Sequence, residues 1–309
     1  MYRIKEIIRR TPIIGKIARL VGKYRTRVPA GHFYSPIVSV AEILKREAQV
    51  YPAPTRNLPG IDLQEDAQVA LMHQFAALYF PTVPFTDTPQ TGFRYYFVNQ
   101  YFIHADAITL HCMMRHFKPK KIIEAGSGFS SAVMLDTNDR FLNKSVDFTF
   151  IEPYPNRLHS LLTLEDRNRV TIFESTLQDI PIAYFEALEE NDFLFIDSTH
   201  VSKTGSDVNF LLFELLPRLK PGVIIHIHDV FYPFEYPKDW VINGNGRFGW
   251  NEAYILRAFL MYQNQFEILF HNDFLQTFYN DWLTQNMPTY ATRGRGSSIW
   301  LRAKNRMIN

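Results

Sequence analysis

From residue 121 onward, short and nearly continuous apolar runs alternate with stretches whose apolar positions recur every three or four residues. The runs occupy 121–124, 146–152, 170–174, 192–197, 222–229, 266–270 and 298–302. Helical spacing covers the stretch from Ser130 to near Asp136, then 155–164, 181–188, 208–219 and 252–262. A strand with no polar alternation must be covered on both faces, so this order predicts a doubly wound, mostly parallel seven-stranded sheet with helices on each side.

The chain before this alternation reads differently. Residues 29–90 are broken by Pro29, Pro36, Pro52, Pro54, Pro59, Pro81, Pro84 and Pro89, with helical patterns only at 38–48 and 63–78. Short helices between proline turns suit a cap over a pocket better than an independent core, and Phe33, Tyr34, Tyr79, Phe80 and Phe85 are candidates to line it. Residues 91–106 mix aromatic and polar side chains and lead through a helix at 107–117 into the first strand. Tyr95, Asn99 and Asp106 are therefore expected within reach of anything bound at that strand's end.

With 309 residues and 46% apolar composition the chain can bury a full core. A net charge of +2 gives no reason to expect nucleic acid as a partner, but the charge is uneven. Residues 1–28 hold nine Lys or Arg against Glu6, a net +8 that leaves −6 for the remainder. Isoleucines interleave with these charges up to and beyond Pro12, so 1–28 is read as a basic amphipathic arm, suited to pack on protein or to lie peripherally on an anionic membrane. No apolar run reaches the ~18 residues needed to span a bilayer, and no signal-peptide pattern follows Met1, which predicts a cytoplasmic protein. Cys112 is the single cysteine and sits on an apolar helical face, so it is expected to be inert core. The domain reading is arm 1–28, cap 29–90 and main domain 91–309.

Candidate chemistry begins where the first strand ends. Gly126-Ser127-Gly128 turns the chain from strand to helix, a place where backbone N–H groups are free and glycine permits close approach. Glu152 ends the second strand, 26 residues after Gly126, where a carboxylate can accept hydrogen bonds from both ribose hydroxyls of a nucleoside. Asp197 ends the fourth strand, expected beside the first. Together the three elements point to a nucleoside-type ligand.

The motifs Glu-Ala-Gly-Ser-Gly-Phe-Ser at 124–130, Phe-Ile-Glu-Pro at 150–153, Phe-Ile-Asp-Ser at 195–198 and His-Asp at 228–229 resemble those of class I S-adenosylmethionine-dependent methyltransferases. The likeness spans about 91–302 and is nearest to bacterial small-molecule and saccharide O-methyltransferases. It implies a Rossmann-like α/β fold in which a last antiparallel strand inserts beside the sixth. It also implies S-adenosylmethionine as cofactor, with Glu124, Gly126, Ser127 and Gly128 on the methionine part and Glu152 and Pro153 at the ribose. Thr176 and Leu177 would then flank the adenine and Asp197 would lie beside the sulfonium, with Asn99 reaching in from the preceding segment. Thr176-Leu177-Gln178 departs from the usual pattern, which places an acid after a small residue. A dinucleotide dehydrogenase would want a third glycine where Ser131 stands, and the relaxed turn suits a ligand without a pyrophosphate.

Methyl transfer to a hydroxyl needs close in-line approach and a proton acceptor. His200, His228, Asp197 and Asp229 follow the fourth and fifth strands and are the catalytic candidates, with His200 the first choice of base and His228 the second. Asp197, His228 and Asp229 could instead hold a divalent cation, but an imidazole in place of an acidic ligand fits magnesium poorly. His226, deeper on the fifth strand, reads as core. The loop 231–249, rich in Gly, Pro and aromatics, has the composition of a flap over the substrate. The acceptor is expected to be a small hydroxylated molecule, and the alternative is a catalytically idle fold acting through its basic arm.

Overall fold

The structure, a computed structural model, describes residues 28–244 and 249–305. The arm expected at 1–28 lies outside these apart from Val28, as do residues 245–248 of the expected flap. The chain forms two compact units, one of Met1–Pro52 with Pro237–Gly249 and one of Ala53–Tyr236 with Trp250–Asn309. In the first, helices Val40–Lys45, Glu47–Val50 and Lys238–Asn243 bury none of their residues, and Lys238 pairs with Glu47.

The second unit is built on one sheet. Its strands are β1 (Lys121–Ala125), β2 (Asp147–Ile151), β3 (Val170–Phe173), β4 (Phe193–Ile196), β5 (Ile224–Ile227), β6 (Phe266–His271) and β7 (Ile299–Ala303). They lie in the order β3-β2-β1-β4-β5-β7-β6. The first five are mutually parallel, and β7 runs antiparallel to both β5 and β6. Every residue of β4 and β5 is buried, as their unbroken apolar sequences require. The chain runs outward from β1 through β2 to β3, then returns to place β4 on the other side of β1. This reversal opens a crevice at the carboxyl ends of β1 and β4.

Two helices frame that crevice. Helix α1 (His104–Phe117) buries eleven of its residues, Cys112 among them, and burial pushes the Cys112 thiol well up. Helix α2 (Phe129–Phe141) runs on past Asp136, near which the sequence reading ended it, through Thr137 and Asn138. Those side chains are buried and individually satisfied. Asp136 takes Arg94, Thr137 meets His111 at 2.9 Å, and Asn138 accepts from Val146 N–H at 3.1 Å. Arg94 also pairs with Asp139 and Asp166, tying residues 91–106 to α2. Helix Glu65–Gln74 packs on β6, where Gln68 accepts from His271 N–H at 2.7 Å. Phe85 lies in the core with its ring edge-on to Tyr95 and Phe97.

Candidate active site

At the ends of β1, β2 and β4 lies a cavity of about 360 Å³. Ala125, Gly126, Ile151, Glu152, Pro153, Thr176, Leu177 and Asp197 line it, so six of the expected cofactor residues meet there. Tyr154, Gln178, Thr199, Lys203, Ser206 and Asp207 complete the polar side.

Gly126 is needed for a reason the motif alone does not give. Its φ is +88°, and a Cβ there would sit 1.6 Å from the carbonyl oxygen of Asp197. The end of β4 crosses so close to the turn that no side chain fits, independent of any ligand. Bonds to both neighbouring strands hold the turn in place: Gly126 N–H donates to Ile151 O at the end of β2 at 3.0 Å, and Asp197 N–H after β4 donates to Ala125 O at 2.9 Å.

Glu124 does not line the cavity. Its two carboxylate oxygens accept from Ser130 and Ser131 at the start of α2, and burial, only partly opposed by those hydroxyls, drives its pKa up to about 8. Ser131 stands where a third glycine would and also accepts from Gly128 N–H at 3.0 Å, so this serine is built into the turn. Ser127 and Gly128 likewise lie behind the lining. Asn99 accepts from Tyr101 and Phe102 N–H and donates to Tyr96 and Phe102 carbonyls, which uses its amide within its own loop. Tyr95 donates to Phe102 O at 2.7 Å, and Asp106 is bound by Asn272, Ser297 and Ser298. None of these three reaches the cavity. Glu152 does: one carboxylate oxygen accepts from Tyr154 N–H at 2.8 Å, and the other has no hydrogen-bond partner among the described residues.

Beside the cavity, sharing Asp197 with it, stands an ionisable cluster. His200 Nε2 lies 3.4 Å from Asp197 Oδ1 and 3.6 Å from Asp229 Oδ2. Its Nδ1 lies 2.9 Å from Glu252 Oε2. Both His200 and Asp229 hold positive φ, +57° and +55°, a conformation that non-glycine residues adopt where the surroundings impose it. Burial works against a charged His200, yet Asp197 and Glu252 outweigh it and lift its pKa to about 10. At neutral pH His200 therefore carries its proton, which departs from its selection as a base titrating near working pH. Burial opposes charge on His228 too, but Asp197, Asp229 and Asp106 outweigh it and raise its pKa. On Asp197 burial acts upward, and the two histidines with Arg157 bring the net pKa down.

His228 stands one step aside, its Nε2 3.8 Å from Asp229 Oδ1 and 3.4 Å from Ser297 Oγ. Among the described residues, those whose ligand atoms converge closely enough for a cation are Asp197, His200 and Asp229, with these atoms all within 4.8 Å of one another. The structure thus puts His200 where the sequence suggested His228. His226 stacks flat on Phe195 at 3.6 Å and edge-on to Trp300, and burial drives its pKa well below the ordinary histidine range, as a core residue requires.

Sequence reasoning missed the pairing of Glu252 with His200 across 52 positions. It missed Asp207 as well, which accepts from Thr199 N–H and Oγ at 3.0 and 2.6 Å and shapes the cavity wall. The available signal was Ser206-Asp207 as a helix cap, with Ser206 accepting from Asn209 N–H at 3.2 Å.

Residues 123–230 match the family model described as a methyltransferase domain. An uncharacterised protein of Archaeoglobus fulgidus is 34% identical over 178 residues, covering 57% of this chain and 78% of its own length. The stretch 123–230 thus matches a methyltransferase domain, in agreement with the resemblance carried by its motifs. Among solved structures, an O-methyltransferase of Streptomyces achromogenes in complex with SAM is 12% identical with TM-score 0.41, covering 86% of this chain and 97% of that one. A cmcI structure with SAH is 14% identical with TM-score 0.31, covering 43% of this chain and 64% of that one, so the chain spans just under two thirds of its length. Likenesses at this level decide nothing about substrate. Among the described residues no helix is long and apolar enough to cross a membrane.

Proposed function

We propose that the protein is an S-adenosylmethionine-dependent O-methyltransferase acting on a small hydroxylated acceptor such as a saccharide. The observation that carries this reading is the double role of Asp197, which lines the nucleoside-sized cavity and also faces His200 at 3.4 Å. A donor seated in the cavity and a hydroxyl seated at the cluster would share that carboxylate.

The residues present fit the donor. Glu152 has a carboxylate oxygen free for ribose hydroxyls, while Ile151, Pro153 and Leu177 offer apolar wall. When bound, the donor supplies a methyl group on a sulfonium, transferred in line as the C–S bond breaks and its electron pair stays on sulfur. Asp197, beside the donor, favours positive charge there. Asp229 is the carboxylate that takes the hydroxyl proton, with protonated His200 donating to the oxygen as it becomes nucleophilic. A divalent cation taken by Asp197, His200 and Asp229 would have to displace the His200 proton, so proton and metal compete for Nε2.

The test is methyl transfer from radiolabelled S-adenosylmethionine across a panel of sugars and glycosides, with and without magnesium. Label appearing on an acceptor oxygen supports the reading. Hydride exchange with NAD in place of methyl transfer would overturn it.

A further inference from the structure

Glu252 opens helix α3 (Glu252–Leu260) and is only 2% exposed. Its link to His200 is not a single contact. The N–H groups of Asn251 and Glu252 both donate to the His200 carbonyl, at 3.0 and 3.2 Å. Ser202 N–H donates to Asn251 Oδ1 at 2.6 Å, and Asn251 Nδ2 returns a bond to Ser202 O at 3.2 Å. The loop after β4 is thus zipped by main chain and side chain onto the start of α3. Trp250 closes the other side of the imidazole, ring centroids 4.3 Å apart.

Within this brace the imidazole has one orientation. Nδ1 faces Glu252 Oε2 at 2.9 Å and Nε2 faces Asp197 and Asp229. A ring flipped by half a turn would point carbon at both sides and lose all three carboxylates. Glu252 Oε1 is buried with no hydrogen-bond partner among the described residues, so the side chain's hydrogen bonding is directed at His200 through Oε2.

We propose that Glu252 is the positioning residue of the acceptor site. It holds His200 through Nδ1–H so that Nε2 is always the nitrogen presented to Asp197, Asp229 and the incoming hydroxyl. The logic is that of a carboxylate orienting a catalytic imidazole, here supplied by a helix start 52 residues downstream. The inference rests on reading the cluster as the methyl-acceptor site.

The experiment compares the full chain with Glu252→Gln and Glu252→Asp by two readouts. Calorimetry with S-adenosylhomocysteine and steady-state methyl transfer separate donor binding from turnover. NMR of histidine-labelled protein follows the downfield, slowly exchanging Nδ1–H of His200, assigned by its loss in His200→Gln. The expected result is a fall in kcat of about tenfold or more for Glu252→Gln. Donor affinity stays within about twofold, the His200 Nδ1–H signal is lost or moves upfield, and Glu252→Asp recovers part of both. A Glu252→Gln protein with wild-type kcat and an unchanged Nδ1–H signal would overturn the proposal. So would one that loses turnover only in proportion to lost folded protein. If wild type binds no S-adenosylhomocysteine, the functional reading falls by itself, and the Nδ1–H signal still reports whether Glu252 sets the ring.

Discussion

The two ends of the site are made in different ways. The proposed donor end, around Gly126 and Glu152, is built from main-chain turns at the tips of three neighbouring parallel strands, and its critical distances are backbone distances. The proposed acceptor end is built from side chains brought together from β4's trailing loop, the second residue after β5 and the start of α3, and its critical distances run between ionisable groups. A backbone-built site leaves its trace in local sequence, because a turn demands particular residues at fixed spacing. A side-chain-built site leaves almost none, because Glu252 and His200 meet only after the sheet has folded. The difference also predicts that the ends fail differently: damage at the donor end lowers stability or donor affinity, and damage at the acceptor end lowers turnover.

The largest separation is expected from Asp229→Asn. It removes a candidate proton acceptor without changing shape, so kcat should fall by roughly 10²–10⁴ while S-adenosylhomocysteine binds as before. Equal losses in donor affinity and turnover would erase the distinction. Next in size is Gly126→Ala. A Cβ 1.6 Å from Asp197 O at φ +88° cannot be accommodated without moving the end of β4, and a loss of about 3 kcal/mol or more is expected in chemical denaturation. Gly205→Ala is its control: φ is +74° but nothing lies within 4 Å of the added Cβ, so the cost should be about 1 kcal/mol.

Glu152→Ala comes third. Removing a charged acceptor of ribose hydrogen bonds should weaken donor binding by about 10–100-fold and leave kcat at saturating donor nearly intact. A further prediction concerns pH. Glu124 titrates near 8 in the folded protein against an ordinary value of 4.5, so the native state binds the extra proton between those limits. Its contribution is complete below about pH 4.5 and is lost as pH rises through 8, with a slope of at most ~1.4 kcal/mol per pH unit. Glu124→Gln should flatten denaturation midpoints across that window. His200, lifted to about 10, acts in the same direction at higher pH and should be unaffected by the substitution.

How much the sequence revealed follows the same division. The strand runs and their order were legible because burial on both faces writes itself as unbroken apolar sequence, and the antiparallel return of β7 came with the motif resemblance. The turn at 126–128, Glu152 and Asp197 were legible because strand ends are fixed points in such a sheet. Asn99 entered the cofactor set by its place before the first strand and Glu124 by the motif resemblance, and nothing in one dimension shows that Asn99 hydrogen-bonds within its own loop or Glu124 with Ser130 and Ser131. His200 was chosen as a base from its ordinary pKa, which the buried carboxylates around it reverse. The sequence reading ended α2 near Asp136, and the buried partners that carry the helix on through Asp136, Thr137 and Asn138 are distant in sequence.

The central claim is that the cavity at the ends of β1, β2 and β4 takes the methyl donor, with Glu152 on its ribose. Titration calorimetry of S-adenosylhomocysteine into the full chain and into Glu152→Ala tests it most directly. One site per chain, weakened by about 10–100-fold in the variant, is the predicted result. No binding to wild type, or equal affinity for both proteins, would contradict it.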